Sequence, residues 1–341
     1  MTVYQYDGLN RPTFAGFGYS GTCYESSIGY TWDGGDRLTG ATDSITGAIT
    51  RVPDLLDRLT SETTPQGSIT YGCDNANRRT TMQVAGQTQV GYTWDNANRL
   101  TAITQGSSGV GISYDNASRR TSLTLPNGVT VGYSVDNDSR ITGLTYSAGN
   151  SQLGTLTYGY DADGRVTSKN GTLAAINLPT AVSGNSFNAD NGMTGFNGAT
   201  LSYDANGNLT GDGTNTYTWD ARNHLSAISG AATASFAYDA VGRRTGKTIN
   251  GIATQLLYDA LNPVQELQSG SPNANLLTGL NIDEYFQRTD SSGAMDFLTD
   301  ALGSTIGLTN SAGALATHYT YQPFGATMTN GTANANPYQF T

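Results

Sequence analysis

Apolar and aromatic residues alternate with small polar ones in short stretches that recur along the chain: Ile28-Tyr30-Trp32, Val90-Tyr92-Trp94, Leu156-Tyr158-Tyr160 and Phe236-Tyr238. A period of two carried by aromatic and β-branched residues predicts strands. Each stretch runs into residues of Asp, Asn, Gly, Ala and Ser type, which favour turns because they cap backbone N–H groups and tolerate positive φ. An Arg usually follows, and then Leu-Thr, Ile-Thr or Val-Thr resumes the strand pattern. The predicted module is strand, tight turn, strand. Each module returns through a second turn such as Gln105-Gly106-Ser107 or Pro126-Asn127-Gly128. Helical periodicity is weak; the best helix candidate runs from Leu256 to Leu267, and Pro263 interrupts it.

The module is a repeat. An Asp, usually after an aromatic residue, recurs at Asp7, Asp33, Asp54, Asp74, Asp95, Asp115, Asp136, Asp161, Asp204, Asp220, Asp239 and Asp259. From Asp33 to Asp136 the spacing is 20 or 21 residues, and the 43-residue gap from Asp161 to Asp204 has room for one unit with a lost signature. Nine of the twelve have Arg four residues on, as in Asp33–Arg37, Asp95–Arg99, Asp115–Arg119, Asp161–Arg165 and Asp239–Arg243. The exceptions carry Asn208, His224 and Pro263 there. Such a pair suits a turn in which Asp caps the backbone and Arg returns to the carboxylate or to turn carbonyls. Twelve near-copies of one catalytic site are implausible, so the pairs read as structural. Two strands per unit give roughly 24 strands and, at ~4.8 Å each, about 115 Å of sheet. Twisted open sheets of that width curl or split. One curled wall enclosing a hollow is the first solution, and packed sheets as in a propeller or solenoid compete with it.

Composition narrows the function. Charged residues are 13% of the chain, about half the usual ~25%. A net charge of −10 with 17 basic residues excludes a nucleic-acid surface or a polybasic membrane patch. No apolar run approaches the ~20 residues of a membrane span, and the opening MTVYQYDGLN shows no signal peptide. Cys23, Cys73, His224 and His318 show no metal-ligand spacing, so neither a metal nor a cofactor is expected. The two cysteines pair only if the fold brings them together, and Cys73 stands where other units carry Tyr or Trp.

Other chemical signals are weak. Gly16-x-Gly18-x-x-Gly21 lacks the βαβ context of a dinucleotide site. Asp161-Ala162-Asp163-Gly164 and Asp204-Ala205-Asn206-Gly207 lack the closing Glu of a calcium loop. His318 reads as a satisfied structural side chain. Asp283, Glu284, Asp296 and Asp300 have no visible catalytic partner. No catalytic residue is assigned.

The repeat resembles the YD repeats of Rhs (rearrangement hotspot) proteins, which also occur in the C components of insecticidal toxin complexes and in teneurins. The C-terminal stretches LTDALGSTIGLTNSAG and HYTYQPFGATM resemble the opening of the Rhs-associated core. Asp300, Leu302, Gly303 and Ser304 match its D-x-L-G-S stretch, and Tyr319, Tyr321, Pro323, Phe324 and Gly325 its Y-x-Y-x-P-F-G stretch. The final Asn336-Pro337-Tyr338-Gln339-Phe340-Thr341 resembles the approach to the next core block. That block, which carries the family's self-cleavage Asp residues, is not in this sequence, nor is a toxin domain.

The resemblance implies an all-β chain: antiparallel hairpins in one long curled or spiralling sheet, part of a hollow cocoon-like shell. Residues 1–265 would be repeat wall and 266–341 the truncated N-terminal part of the core. Its partners would be a toxin cargo polypeptide and the remaining shell segments. It would be non-enzymatic, and secreted or cell-surface as part of a full-length protein. Its length is short for such shells, which reads as a fragment of one. An alternative is a carbohydrate-binding or adhesion module, because 20 Tyr and 3 Trp, Trp94 and Trp219 among them, could stack on cell-surface glycans. A partial wall would expose strand edges and invite self-association.

Overall fold

The computed structural model describes residues 1–175 and 177–340. Thr341, the last residue of the C-terminal stretch noted above, lies outside them. Among the described residues there are 33 strands and no helix. Hydrogen-bonded neighbours follow chain order throughout: sixteen strands from Val3–Tyr6 to Val166–Asn170, three from Ser186–Phe187 to Ala199–Thr200, and fourteen from Ser202–Tyr203 to Thr327–Gly331. This is the predicted antiparallel meander, interrupted twice. It is not the short closed blades of a propeller. Among the described residues neither long sheet closes on itself.

The helix candidate at Leu256 to Leu267 is overturned. Those residues form the strands Ile252–Asp259 and Asn262–Gln268, joined by a tight turn with Ala260 at φ +52°. Pro263 sits near the start of the second strand, where its missing N–H is tolerated. Asp259 therefore does not head a five-residue turn like the other eleven Asp residues.

The chain divides into two compact units. One comprises Met1–Thr70, Thr180–Leu257 and Glu266–Pro272, and the other Tyr71–Pro179, Tyr258–Gln265 and Asn273–Thr341. Position 265/266 falls inside the strand Asn262–Gln268. In each unit strands of the first long sheet face strands of the last, and alternate side chains turn inward, as period-two patterning requires. In the first unit Ile28, Ala41 and Ile49 bury against Ala240, flanked by Phe17 and Tyr30. In the second, Leu276, Tyr285, Phe297, Leu308 and Tyr319 form a core beside Met295, Tyr321 and Tyr338. Burying one such Phe or Leu side chain contributes about 1.5–3 kcal/mol.

Candidate functional site

The repeated turn is one conformation used many times. For eleven of the twelve Asp residues the Asp N–H donates to the carbonyl four residues on, and the N–H three residues on donates to the Asp carbonyl. The third residue after Asp is left-handed: Asn10, Asp36, Asp57, Asn77, Asn98, Ser118, Ser139 and Asn223 lie at φ +59° to +66°, and Gly164, Gly207 and Gly242 take the same place elsewhere. That is a type I turn closed by a left-handed residue, with the register slip of a bulge. It explains why only Asn, Asp, Ser or Gly stands there.

Asp holds the turn and Arg closes it. Asp33 Oδ1 accepts the N–H groups of Gly35 (2.8 Å) and Arg37 (3.1 Å), and its Oδ2 accepts Arg37 Nε at 2.7 Å. Asp95 with Arg99, Asp115 with Arg119 and Asp239 with Arg243 repeat this, each with an Nε–Oδ2 distance of 2.7 Å. Replacements keep the contact. Asn208 Nδ2 donates to Asp204 at 2.9 Å, and His224 Nδ1 lies 3.2 Å from Asp220. These bonds to the ionised form hold the Asp7, Asp33, Asp95, Asp115 and Asp136 carboxyls below the usual value, led by the N–H of the Arg four residues on. For Asp54 and Asp74 the Arg side chain leads, and for Asp204 the Asn208 amide.

The same Arg reaches the next turn. Arg37 Nη1 donates to the Asp54 carbonyl (2.5 Å), Arg78 to that of Asp95 (3.3 Å), Arg99 to that of Asp115 (2.9 Å) and Arg119 to that of Asp136 (3.1 Å). Its guanidinium lies over the next unit's aromatic ring: Arg78 over Trp94 at 5.9 Å and Arg99 over Tyr114 at 5.0 Å. The ring's polar tip then bonds back to the residue after the preceding Arg. Trp94 Nε1 donates to the Arg79 carbonyl (2.8 Å), Tyr114 OH to that of Leu100 (2.9 Å) and Tyr160 OH to that of Ile141 (2.7 Å). Trp219 donates to Leu209 in the same way. Turn, ring and guanidinium thus form one joint between consecutive units. It uses the polar tip of Trp94 and Trp219, and one face of Trp94, which a glycan would otherwise have free.

Five further turns share the backbone without the signature. Asn188 heads one inside the gap between Asp161 and Asp204, capping Asp190 and Gly192 with its side chain. Leu125, Asp300, Asn310 and Gln322 head the others. The D-x-L-G-S stretch is therefore a repeat turn with Ser304 in the Arg position. Asp300 Oδ1 still caps Leu302 and Ser304, while Oδ2 accepts Lys169 Nζ at 2.7 Å. Gln322-Pro323-Phe324-Gly325 is another such turn, with Gly303 and Gly325 at the left-handed position, φ +96° and +86°.

The core-like residues gather only in part. Asp300, Ser304, Tyr319, Tyr321 and Pro323 line a pocket of about 330 Å³ with Lys169. Gly303 lines a second of about 310 Å³, and Phe324 is fully exposed. A Cβ added at Gly325 would stand 3.0 Å from the Phe340 ring. The Tyr319 and Tyr321 hydroxyls bond Asn334 Oδ1 and the Thr305 carbonyl.

Sequence reading missed the ion pairs that join facing layers. In the first unit Arg222 meets Asp43 at 2.7 Å, and Arg243 Nη1 meets Glu62 at 2.8 Å, where Arg51 also lies 2.7 Å away. In the second, Arg79 pairs with Asp259, and Arg120 with Glu284 at 2.8 Å. Arg79 and Arg120 are the second residues of Arg-Arg pairs, where most units carry an apolar residue. That doubling was the available signal. Asp296 has no cation: Gln287 Nε2 and the Asn127 N–H each donate to it at 2.8 Å, and burial raises its pKa.

Among the described residues no group of three or more His, Cys, Asp and Glu could hold a metal, and Cys23 and Cys73 are free thiols. His318 is not fully satisfied; its buried Nε2 has no hydrogen-bond partner. No helix among these residues is long and apolar enough to cross a membrane.

Comparison with known proteins follows this geometry. The model of the teneurin YD-shell family matches residues 129–339, and the RHS repeat model matches residues 54–89. The tRNA3(Ser)-specific nuclease WapA of Bacillus spizizenii is 31% identical over 180 residues, 50% of this chain and 7% of that protein. The tRNA nuclease WapA of Bacillus subtilis is 31% identical over 171 residues, 44% of this chain and 7% of its own length. The crystal structure of TcdB2-TccC3 without its hypervariable C-terminal region shares the fold, with a TM-score of 0.64 at 12% identity over 97% of this chain and 24% of that one. The chain therefore spans under a tenth of these curated relatives and about a quarter of that solved chain.

Proposed function

This chain belongs to the teneurin YD-shell family, and on that premise we propose that it is one stretch of wall in a toxin-associated shell that encloses a polypeptide cargo. The observation that carries the reading is the joint of Asp, Arg and aromatic ring, repeated between successive turns along an open sheet. Such a joint fixes turn shape and strand register over a long meander, which a wall needs and a reaction centre does not. Asp33–Arg37, Asp95–Arg99, Asp115–Arg119 and Asp239–Arg243 act in this reading as staples, and the Asp300 turn as a staple redirected to Lys169. Residues 1–265 serve as repeat wall and 266–341 as the opening of the core segment. Within each unit the layers meet through side chains, so the chamber belongs to the larger assembly in which this chain is one part. That assembly acts outside the producing cell. The nuclease activity named for the WapA proteins is not assigned to this chain, which covers so little of them.

The test is protease protection of the native gene product purified from its own host. The reading expects a polypeptide that co-purifies with this wall segment, resists proteinase K while the sheets are folded, and is digested once they are unfolded. A preparation with no co-purifying polypeptide, or one digested equally fast before and after unfolding, would overturn it.

A further inference from the structure

A gap in the row of ion pairs that join the layers leaves a pocket inside the second compact unit. The residue after the repeat Arg is Arg120 in one repeat and Ile141 in the next. Arg120 Nη2 crosses to Glu284 Oε1 at 2.8 Å. Ile141 is too short and too apolar to make such a bond, and the space between it and the facing turns stays open. The pocket there is about 310 Å³, at the lower end of the range for small-molecule sites. Leu123, Val131 and Leu144 of the first long sheet and Phe286 and Phe297 of the last form buried apolar walls. The mouth lies between the turns 279–284 and 300–304, where Ile282 and Leu302 are exposed.

Three carboxylates line the pocket, and two are already matched. Glu284 holds Arg120 and accepts Asn281 Nδ2 at 3.1 Å, and Asp300 accepts Lys169 Nζ at 2.7 Å. Asp283 meets no cation among the described residues. Its side chain is exposed at the lip and accepts only the Tyr285 hydroxyl, at 3.4 Å. That hydroxyl has no other partner among the described residues, and burial pushes its pKa up, so it remains a neutral donor. An apolar cavity with one unmatched negative charge on its lip disfavours an anion and selects an apolar body that ends in a cation.

We propose that this pocket binds an ammonium group carried one or two carbons from a bulky apolar body. The body enters between Ile141, Leu144 and Phe286, and the ammonium pairs with Asp283 on the lip. A free arylalkylamine has this chemistry, and so does the first residue of a polypeptide that begins with phenylalanine. The site needs neither a shell nor a cargo, so it can fail while the wall reading stands, and the reverse.

Ligand-observed NMR titration of the full chain tests it, with phenethylamine as the probe and phenethyl alcohol as its neutral control. Phenethylamine should bind at millimolar concentration and several-fold more tightly than the alcohol. Asp283→Asn should weaken the amine about threefold or more, the range of an exposed ion pair, and leave the alcohol unchanged. This variant should keep the wild-type circular dichroism and melting curve, because Asp283 is an exposed left-handed residue, φ +58°, where Asn is at home. Ile141→Phe, which fills the pocket, should weaken both probes alike. Phe-Ala-Ala amide and its N-acetyl form separate the two sources: a polypeptide start gives binding that acetylation abolishes, and a small amine gives none with either peptide. No binding of phenethylamine, equal affinity for amine and alcohol, or an amine affinity unchanged by Asp283→Asn would each overturn the proposal.

Discussion

Replacing Arg243 by methionine is expected to destabilise the chain by about 3–5 kcal/mol, the cost of removing one partner from a buried ion pair. Arg243 and Glu62 have side chains only 5% exposed each, and Arg243 also closes the Asp239 turn through a 2.7 Å bond to a carboxylate 7% exposed. Methionine fills much of the space but leaves two carboxylates in low dielectric, of which only Glu62 keeps a cation, Arg51. The double substitution Asp239→Asn with Arg243→Met should recover part of the loss, because Asp239 is the buried carboxylate that Arg243→Met leaves without a cation. Urea unfolding of the wild type and both variants measures this. A loss below about 1 kcal/mol for Arg243→Met, the range of an exposed pair, would show that the facing layers do not close over Arg243.

Acid should unfold the chain in a window set by the turn carboxylates. Eight of them, among them Asp33, Asp95 and Asp115, ionise below the usual value because their charged form is hydrogen-bonded in the fold. A lowered folded-state pKa stabilises the fold above the unfolded value, about 3.9 for Asp, and that stability is lost as pH falls through the folded-state values. Asp296 acts in the opposite sense: its pKa is raised by burial, so its ionisation disfavours the fold and its protonation relieves that cost. It is one group against eight. The urea midpoint should therefore be level from pH 7 to about 5 and fall steeply below about pH 4. A midpoint that falls between pH 7 and 5 and then levels off would contradict the assignment.

How much of this was legible in the sequence follows from which interactions are local. The strand-turn-strand module is written within about ten residues, so alternation and the Asp, Asn, Ser and Gly positions located the eleven hairpins headed by a repeat Asp. Even the unit without a signature was foreshadowed by the gap that holds Asn188. The segment from Leu256 to Leu267 misled because its apolar positions have no decisive period, and the left-handed Ala260 that splits it into two strands is not a residue type that announces a turn. The Asp300 and Gln322 stretches were not legible as repeat turns because the residues that mark one, Arg and Asp respectively, are replaced there. The pairs Arg79–Asp259, Arg120–Glu284 and Arg243–Glu62 join residues more than 160 positions apart. For Arg79 and Arg120 the sequence trace was only an Arg where an apolar residue was due, which shows that the side chain turns inward and not which carboxylate it meets; Arg243 is the ordinary repeat Arg and left no trace of Glu62.

Cryo-electron microscopy of the native particle that contains this chain addresses the central claim most directly. The account predicts that these meandering strands lie in the wall of a closed chamber, with density for a polypeptide inside and the Arg99 guanidinium resolved between Asp95, Tyr114 and the Asp115 carbonyl. Strands lying outside any enclosure, or a particle whose interior is filled by this chain's own side chains alone, would contradict it.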